Sequence, residues 1–168
     1  MKVTMDLDIL IEDDRWDNLG FDGLAQAAIT STLLHLGIEP SSVEVSLLAC
    51  DDARIAELNA EFRGKPLPTN VLSWPSEELS AEKPGAVPNP PHPDPGGALS
   101  LGDIAISYDT CQSEARTQNK LFSAHVTHLV VHGMLHLLGY DHIRGPDATL
   151  METIETEILG KMGIDDPY

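Results

Sequence analysis

The sequence predicts an α+β domain: a mixed four-stranded sheet with about five helices packed on it and a metal site at the end of a central helix. Three observations carry this. Stretches of alternating apolar residues and stretches of helical spacing follow one another as strand, helix, strand, helix, strand, strand, then helices. The 168 residues, 42% of them hydrophobic, suit one domain spanning 1–168, with no internal repeat and no second domain visible. Finally, four histidines fall within the fifteen residues "HLVVHGMLHLLGYDH", from His128 to His142, in an otherwise apolar stretch.

The elements can be justified in order. "KVTMDLDILI" sets Val3, Met5, Leu7 and Ile9 against polar neighbours and reads as the first strand. Residues 20–36 read as a helix with Leu24, Ala27, Ala28, Leu33 and Leu34 on its inner side. "SVEVSLLA" alternates Val43, Val45 and Leu47 and reads as the second strand. Asp51 or Asp52 can cap the helix "DARIAELNAEF", which turns Ile55 and Leu58 inward. "TNVLSW" is a short strand closed by Pro75. Between Trp74 and Leu99 come seven prolines and three glycines, which exclude regular structure. Residues 76–98 therefore read as a long, mobile surface loop with His92 solvated inside it, and deleting most of 79–96 should leave the fold intact. "SLGDIAIS" is the fourth strand, near 100–107, and residues 108–118 read as a helix. Residues 121–138 form the apolar helix that carries the histidines. Residues 147–161 form a last amphipathic helix, with Leu150, Ile154 and Ile158 at helical spacing.

Composition narrows the function. The only cysteines, Cys50 and Cys111, are far apart and form no C-x-x-C pair, so neither a disulfide scaffold nor a thiolate metal site is expected. A reducing cytoplasm is the simplest setting. The first apolar run, Ile9-Leu10-Ile11, is far short of a secretory core, and 129–139 is too short to span a bilayer. The formal net charge of −17 argues against membrane or DNA partners and against non-specific adhesion to nucleic acid. A polyanionic substrate would need a local basic patch. Among ten scattered Lys and Arg residues, only "FRGKP" places two close together, Arg63 and Lys65.

The histidines have a geometry that suits a metal. His132 and His136 are four apart, so their rings share one helix face about 5–6 Å apart at Cβ. Gly139 can end the helix and turn the chain back. His142 then meets the same point from the other side. Three imidazoles with an open fourth position describe a catalytic zinc site, whereas a structural site fills the fourth place with protein. The spacing H-x-x-x-H-x-x-G-x-x-H is that of metzincin proteases, except that their general-base glutamate is replaced here by Gly133. That departure argues against peptide hydrolysis by their route. His128 and His125 extend the stripe back along the helix. His128 serves either the site or ordinary packing, and His125 is read as packing or exposed. Asp141, beside His142, is a turn former or cap on the plain reading, and an outer carboxylate or proton acceptor on the sharper one.

These residues resemble a known family. "HGMLHLLGYDH" closely resembles the signature of the YbeY-type endoribonucleases, bacterial rRNA-maturation factors. "LNAEFRGKPLPTNVLSWP" (58–75) is similar to the family's second block, "LGDIAIS" (101–107) to its third and "METIETEIL" (151–159) to its C-terminal helix. The blocks come in the family's order and span most of the chain. Two departures stand out: the 76–98 loop is longer and richer in proline than expected, and Asn70 stands where aspartate is common.

The resemblance implies a zinc-dependent, single-strand-specific endoribonuclease acting in 16S rRNA 3′-end maturation and ribosome quality control. Its implied partners are rRNA and the small ribosomal subunit, with ribosome-associated proteins as further candidates. Its metal ligands carry over to His132, His136 and His142, holding one Zn²⁺ ion, and its arginine carries over to Arg63. The residues themselves point the same way. A guanidinium can pair two phosphate oxygens, and Lys65 beside it in an acidic chain favours a phosphate over a surface salt bridge. Arg63, Asp141 and His128 thus form the candidate catalytic list, and Arg63 and Lys65 the substrate-binding one. Two rivals remain: another zinc hydrolase, acting on peptides or small molecules, and a non-catalytic ribosome-assembly module with a structural metal.

Overall fold

The computed structural model describes residues 5–168; Val3 of the expected first strand lies outside them. The strands are β1 (Asp6–Ile11), β2 (Val43–Cys50), β3 (Val71–Pro75) and β4 (Leu99–Ser107). The helices are α1 (Arg15–Leu19), α2 (Phe21–His35), α3 (Asp52–Arg63), α4 (Tyr108–Thr117), α5 (Phe122–Leu137) and α6 (Gly145–Lys161). The sheet runs β1-β2-β4-β3, with β1, β2 and β4 parallel and β3 antiparallel to β4. This is the mixed four-stranded sheet that the sequence predicts. β3 lies at the edge, so Pro75 can end it without breaking an inner hydrogen-bond ladder.

One face of the sheet carries the main core. Val43, Val45 and Leu47 of β2 and Ile104 and Ile106 of β4 pack there with α2 and α5. Ile55 and Leu58 of α3 cover Leu72 and Ala105 in a second, smaller cluster. Asp51 rather than Asp52 caps α3, its carboxylate accepting the Arg54 N–H at 2.9 Å. Asp52 instead accepts the Ser107 and Thr110 hydroxyls, both at 2.6 Å, at the start of α4. Asp109 returns the bond by accepting the Asp52 N–H at 3.1 Å. The two helix starts therefore lock each other.

Three expectations need correction. The inner face of α2 is Phe21, Ala25, Ala28, Ile29, Thr32 and Leu33, while Ala27 and Leu34 face out. With nearly every position of this helix apolar or small, the pattern alone left its rotation poorly fixed. Helix α1 was not expected. It is five residues long, and Trp16 holds it in place by burying its ring and donating its indole N–H to the Cys50 carbonyl at 2.9 Å.

The third correction concerns residues 76–98. They contain no helix or strand, yet they are docked on the α5–α6 corner. Leu79 is 3% exposed. The Arg144 guanidinium donates to the carbonyls of Ala81 at 2.8 Å and Glu82 at 2.9 Å. Asp147 accepts the Gly85 N–H at 2.8 Å, while His92 is solvated as expected and pairs with Glu77 at 2.7 Å. Prolines remove regular hydrogen bonding from a segment, but they do not prevent it from packing.

Candidate metal centre and cleft

Helix α5 carries His125, His128, His132 and His136 along one side while its apolar side meets the sheet. The approach is close at Gly133. A Cβ there would lie 3.2 Å from Ile104 Cδ1 and 3.3 Å from Ser73 Oγ. The position that bears the base in metzincins thus points into the sheet and has no room for a glutamate. Helix α5 ends with the Tyr140 N–H bonded to the Leu135 carbonyl at 3.0 Å, a closure that needs positive φ, supplied by Gly139 at 97°. This turn brings His142 back over the helix end.

His132, His136 and His142 come together. One nitrogen of each lies within 4.8 Å of the others, as a group able to hold a metal ion. Ring centroids are 4.5 Å apart for His132–His136, 5.1 Å for His136–His142 and 5.4 Å for His132–His142. The hydrogen bonds behind the rings decide which nitrogen faces inward. His136 Nδ1 lies 3.0 Å from the Tyr140 carbonyl, an acceptor only, so Nδ1 carries the proton and Nε2 the lone pair. His132 Nδ1 lies 3.2 Å from Glu155 Oε2 and donates to it in the same way.

With both rings neutral, the two Nε2 lone pairs then face each other at 3.0 Å. Such a contact is repulsive unless a proton or a metal cation sits between the rings. Ligand nitrogens across a tetrahedral ion with bonds of about 2.0–2.1 Å stand about 3.3 Å apart, close to this spacing. The donor set therefore fits a divalent transition ion, with three neutral imidazoles and no fourth protein ligand in the group. Burial first, then the repulsion that His132 and His142 would exert if protonated, press His136 down to about 4, which keeps it unprotonated for such an ion.

A cleft of about 430 Å³ opens on these rings. It is lined by His132, His136, His142 and Asp141, and also by Arg63 from the last turn of α3. Arg63 is exposed and makes no ion pair among the described residues. Lys65 is also exposed but does not line the cleft. Asp141 accepts the His142 N–H at 2.7 Å through Oδ1, the turn-forming role, while remaining on the cleft wall. The loop contributes Glu77, Glu78 and Leu79 to the same wall.

His128 does not line this cleft. Its Nε2 meets Glu155 Oε2 at 2.6 Å, beside a second cavity of about 420 Å³ that it shares with His125, His132 and Tyr168. His125 is 4% exposed and packs, as expected, with Nε2 on Glu114 at 2.9 Å. Glu114 also accepts the Asn70 amide at 3.0 and 3.2 Å, so an aspartate at 70 would set two carboxylates against each other. Burial favours the neutral acid at Glu155, but bonds from His128 and His132 outweigh it and hold the carboxyl at about 2. Sequence reasoning missed this residue. Its signal was present, because Glu155 lies four residues after Met151 and three before Ile158, inside the apolar stripe of α6.

Comparison with known proteins finds relatives over nearly the whole chain. A family model described as Endoribonuclease YbeY matches residues 9–163. A protein of Ruegeria pomeroyi named Endoribonuclease YbeY is 62% identical over 164 residues, covering 98% of both chains. Proteins of the same name are 45% identical in Azorhizobium caulinodans, over 98% of this chain and 96% of that one, and 43% identical in Bartonella quintana, over 96% of each. The solution structure of TM1509 from Thermotoga maritima superposes with a TM-score of 0.56 at 23% identity, covering 94% of this chain and 91% of that one. At that identity the likeness speaks for the fold alone. No helix among the described residues is long and apolar enough to cross a membrane.

Proposed function

The chain belongs to the YbeY endoribonuclease family, and on that premise we propose that it is a zinc-dependent, single-strand-specific endoribonuclease. Its work is 16S rRNA 3′-end maturation and ribosome quality control in the cytoplasm, on rRNA carried by the small ribosomal subunit and alongside ribosome-associated proteins. The observation that carries this reading is that Arg63, an exposed cation in a chain of net charge −17, lines the same cleft as the three histidines.

The roles follow from chemistry. His132, His136 and His142 hold one Zn²⁺ ion. Bound there, such an ion would supply a water of pKa lowered to about 7 and Lewis-acid polarisation of a phosphoryl oxygen. Arg63 pairs two oxygens of the scissile or adjacent phosphate and stabilises the charge that builds there. Lys65 guides the strand toward the cleft mouth. Asp141, whose Oδ1 is engaged by the His142 N–H, keeps Oδ2 as a proton acceptor in the cleft. His128 acts at one remove, through Glu155, rather than on the phosphate.

The rival, a ribosome-assembly module with a structural metal, draws on the net charge of −17, since acidic surfaces repel RNA. The group of three ligands speaks against it, because a structural zinc fills its fourth place with protein.

The test combines metal analysis, melting temperature and single-turnover cleavage of an rRNA precursor. Arg63→Ala should keep metal and fold and lose about 10²–10³ in rate. Arg63→Lys should rescue poorly, because a point charge cannot make the two-pronged contact. His136→Ala, run beside them, should lose both metal and cleavage. Near wild-type cleavage by Arg63→Ala would remove Arg63 from the catalytic list. Full metal binding without cleavage by the unaltered protein would favour the assembly module.

A further inference from the structure

Glu155 is a carboxylate placed among apolar neighbours. Met151, Ile154, Ile158 and Leu159 surround it on the inner face of α6, and it is 0% exposed. A buried charge persists only when its lone pairs are filled. Here three donors fill them. His128 Nε2 lies 2.6 Å and His132 Nδ1 3.2 Å from Oε2, and the Tyr168 hydroxyl lies 2.9 Å from Oε1.

The three metal-site histidines differ in what holds them from behind. His136 is fixed by a backbone carbonyl, that of Tyr140. His142 has no ring partner in the hydrogen bonds of the described residues; only its backbone N–H is bonded, to Asp141. His132 alone is fixed by a side chain. If Glu155 did not accept from Nδ1, the proton of a neutral imidazole could sit on either nitrogen, and on Nε2 it would occupy the lone pair that faces His136.

We propose that Glu155 is a positioning residue for the metal ligand His132: its carboxylate fixes the tautomer and aim of that ring, and His128 and Tyr168 hold the carboxylate in place. The inference rests on the metal-site reading above. It ties Tyr168, which is 61% exposed and twenty-six positions beyond the last ligand, to the affinity of the centre. His128, His132 and Glu155 are also close enough to hold an ion of their own. The donors argue for the relay instead, because an ion there would displace bonds that already satisfy the carboxylate.

The experiment measures Zn²⁺ and Co²⁺ affinity of the full chain by competition with a chromophoric chelator, with the Co²⁺ absorption envelope and the melting temperature of the metal-free protein recorded alongside. Glu155→Gln keeps the volume and should lower affinity about 10–100-fold while altering the Co²⁺ envelope. Tyr168→Phe removes only a hydroxyl at the network's exposed end and should shift affinity the same way, by on the order of 3-fold. It also keeps the test open if Glu155→Gln does not fold. Unchanged affinity and envelope in the variants, with only the melting temperature moved, would overturn the proposal. A second equivalent of metal lost with Glu155→Gln would overturn it in favour of a separate ion site. RNA cleavage is not needed for this readout, so a metal-binding protein that cuts no RNA would refute the endoribonuclease reading and leave this one standing.

Discussion

Gly133 shows how a single absent side chain separates two chemistries that share one histidine spacing. A Cβ at this position meets Ile104 and Ser73 at 3.2–3.3 Å, so α5 lies against the sheet at a distance only glycine permits comfortably. Gly133→Ala should destabilise by about 1 kcal/mol, because the better helix propensity of alanine is outweighed by the push on Ile104. Gly133→Glu should cost about 3 kcal/mol or more and create no peptidase, because the carboxylate would enter the core rather than the cleft. Thermal melts and a casein digestion assay check both. Peptidase activity with a stable fold would show that the helix can rotate. The grouping of His132, His136 and His142 was legible because these residues and Gly139 are local in sequence. Glu155 was less so: the sequence showed an acid in an apolar stripe but not that it lies behind His132, a contact made across twenty-three residues. The Tyr140 carbonyl that aims His136 had no sequence signal, since every residue carries one.

Among the elements, the 76–98 segment departs most from what its composition implied. Its prolines forbade a helix or strand correctly, but Leu79 was one apolar residue among many polar ones, and only the structure shows it seated under the α5–α6 turn. A Cβ at Gly139 would come within 2.8 Å of Leu79, so the loop and the turn are shaped to each other. Leu79→Ala should therefore cost about 2 kcal/mol, the low end for a buried leucine because a loop can settle into part of the space. Deletion of 79–96 should lower the melting temperature by at least as much as Leu79→Ala, since it also removes the carbonyls that Arg144 grips. A deletion variant that melts like the full chain would restore the view of the loop as a passive strap. The same lesson in reverse applies to α1 and α2. Strand alternation in β2 left one choice of inner face, whereas the small-residue surface of α2 left several. Trp16 gave α1 its fixed place only through a carbonyl thirty-four residues away.

At the scale of the whole molecule, the sheet and its order of elements were readable because the strands keep their alternation, even though β3 and β4 are joined by the long 76–98 segment. The charge posed the harder problem. A chain of net charge −17 that cuts a polyanion must bind through few contacts, against a repulsive background. Each phosphate neutralised on a single strand steepens the fall of log affinity with log salt by about 0.7. Arg63 in the cleft and Lys65 outside it offer two such contacts, a slope near −1.4 before any opposing effect. Added salt also screens the repulsion between the acidic surface and the rest of the strand, which works the other way. The isolated protein should therefore bind a single-stranded oligonucleotide weakly and with a slope between about 0 and −1.5 from 50 to 200 mM salt, read by fluorescence anisotropy. Arg63→Ala should flatten it further. A slope steeper than about −3 would mean that at least four cations touch the strand, and would place the RNA on basic residues well beyond the cleft. A shallow slope leaves the burden of affinity to whatever particle carries the RNA, which on the proposed function is the ribosomal subunit, so cleavage of free oligonucleotide should be slow even where the chemistry at the histidines is intact.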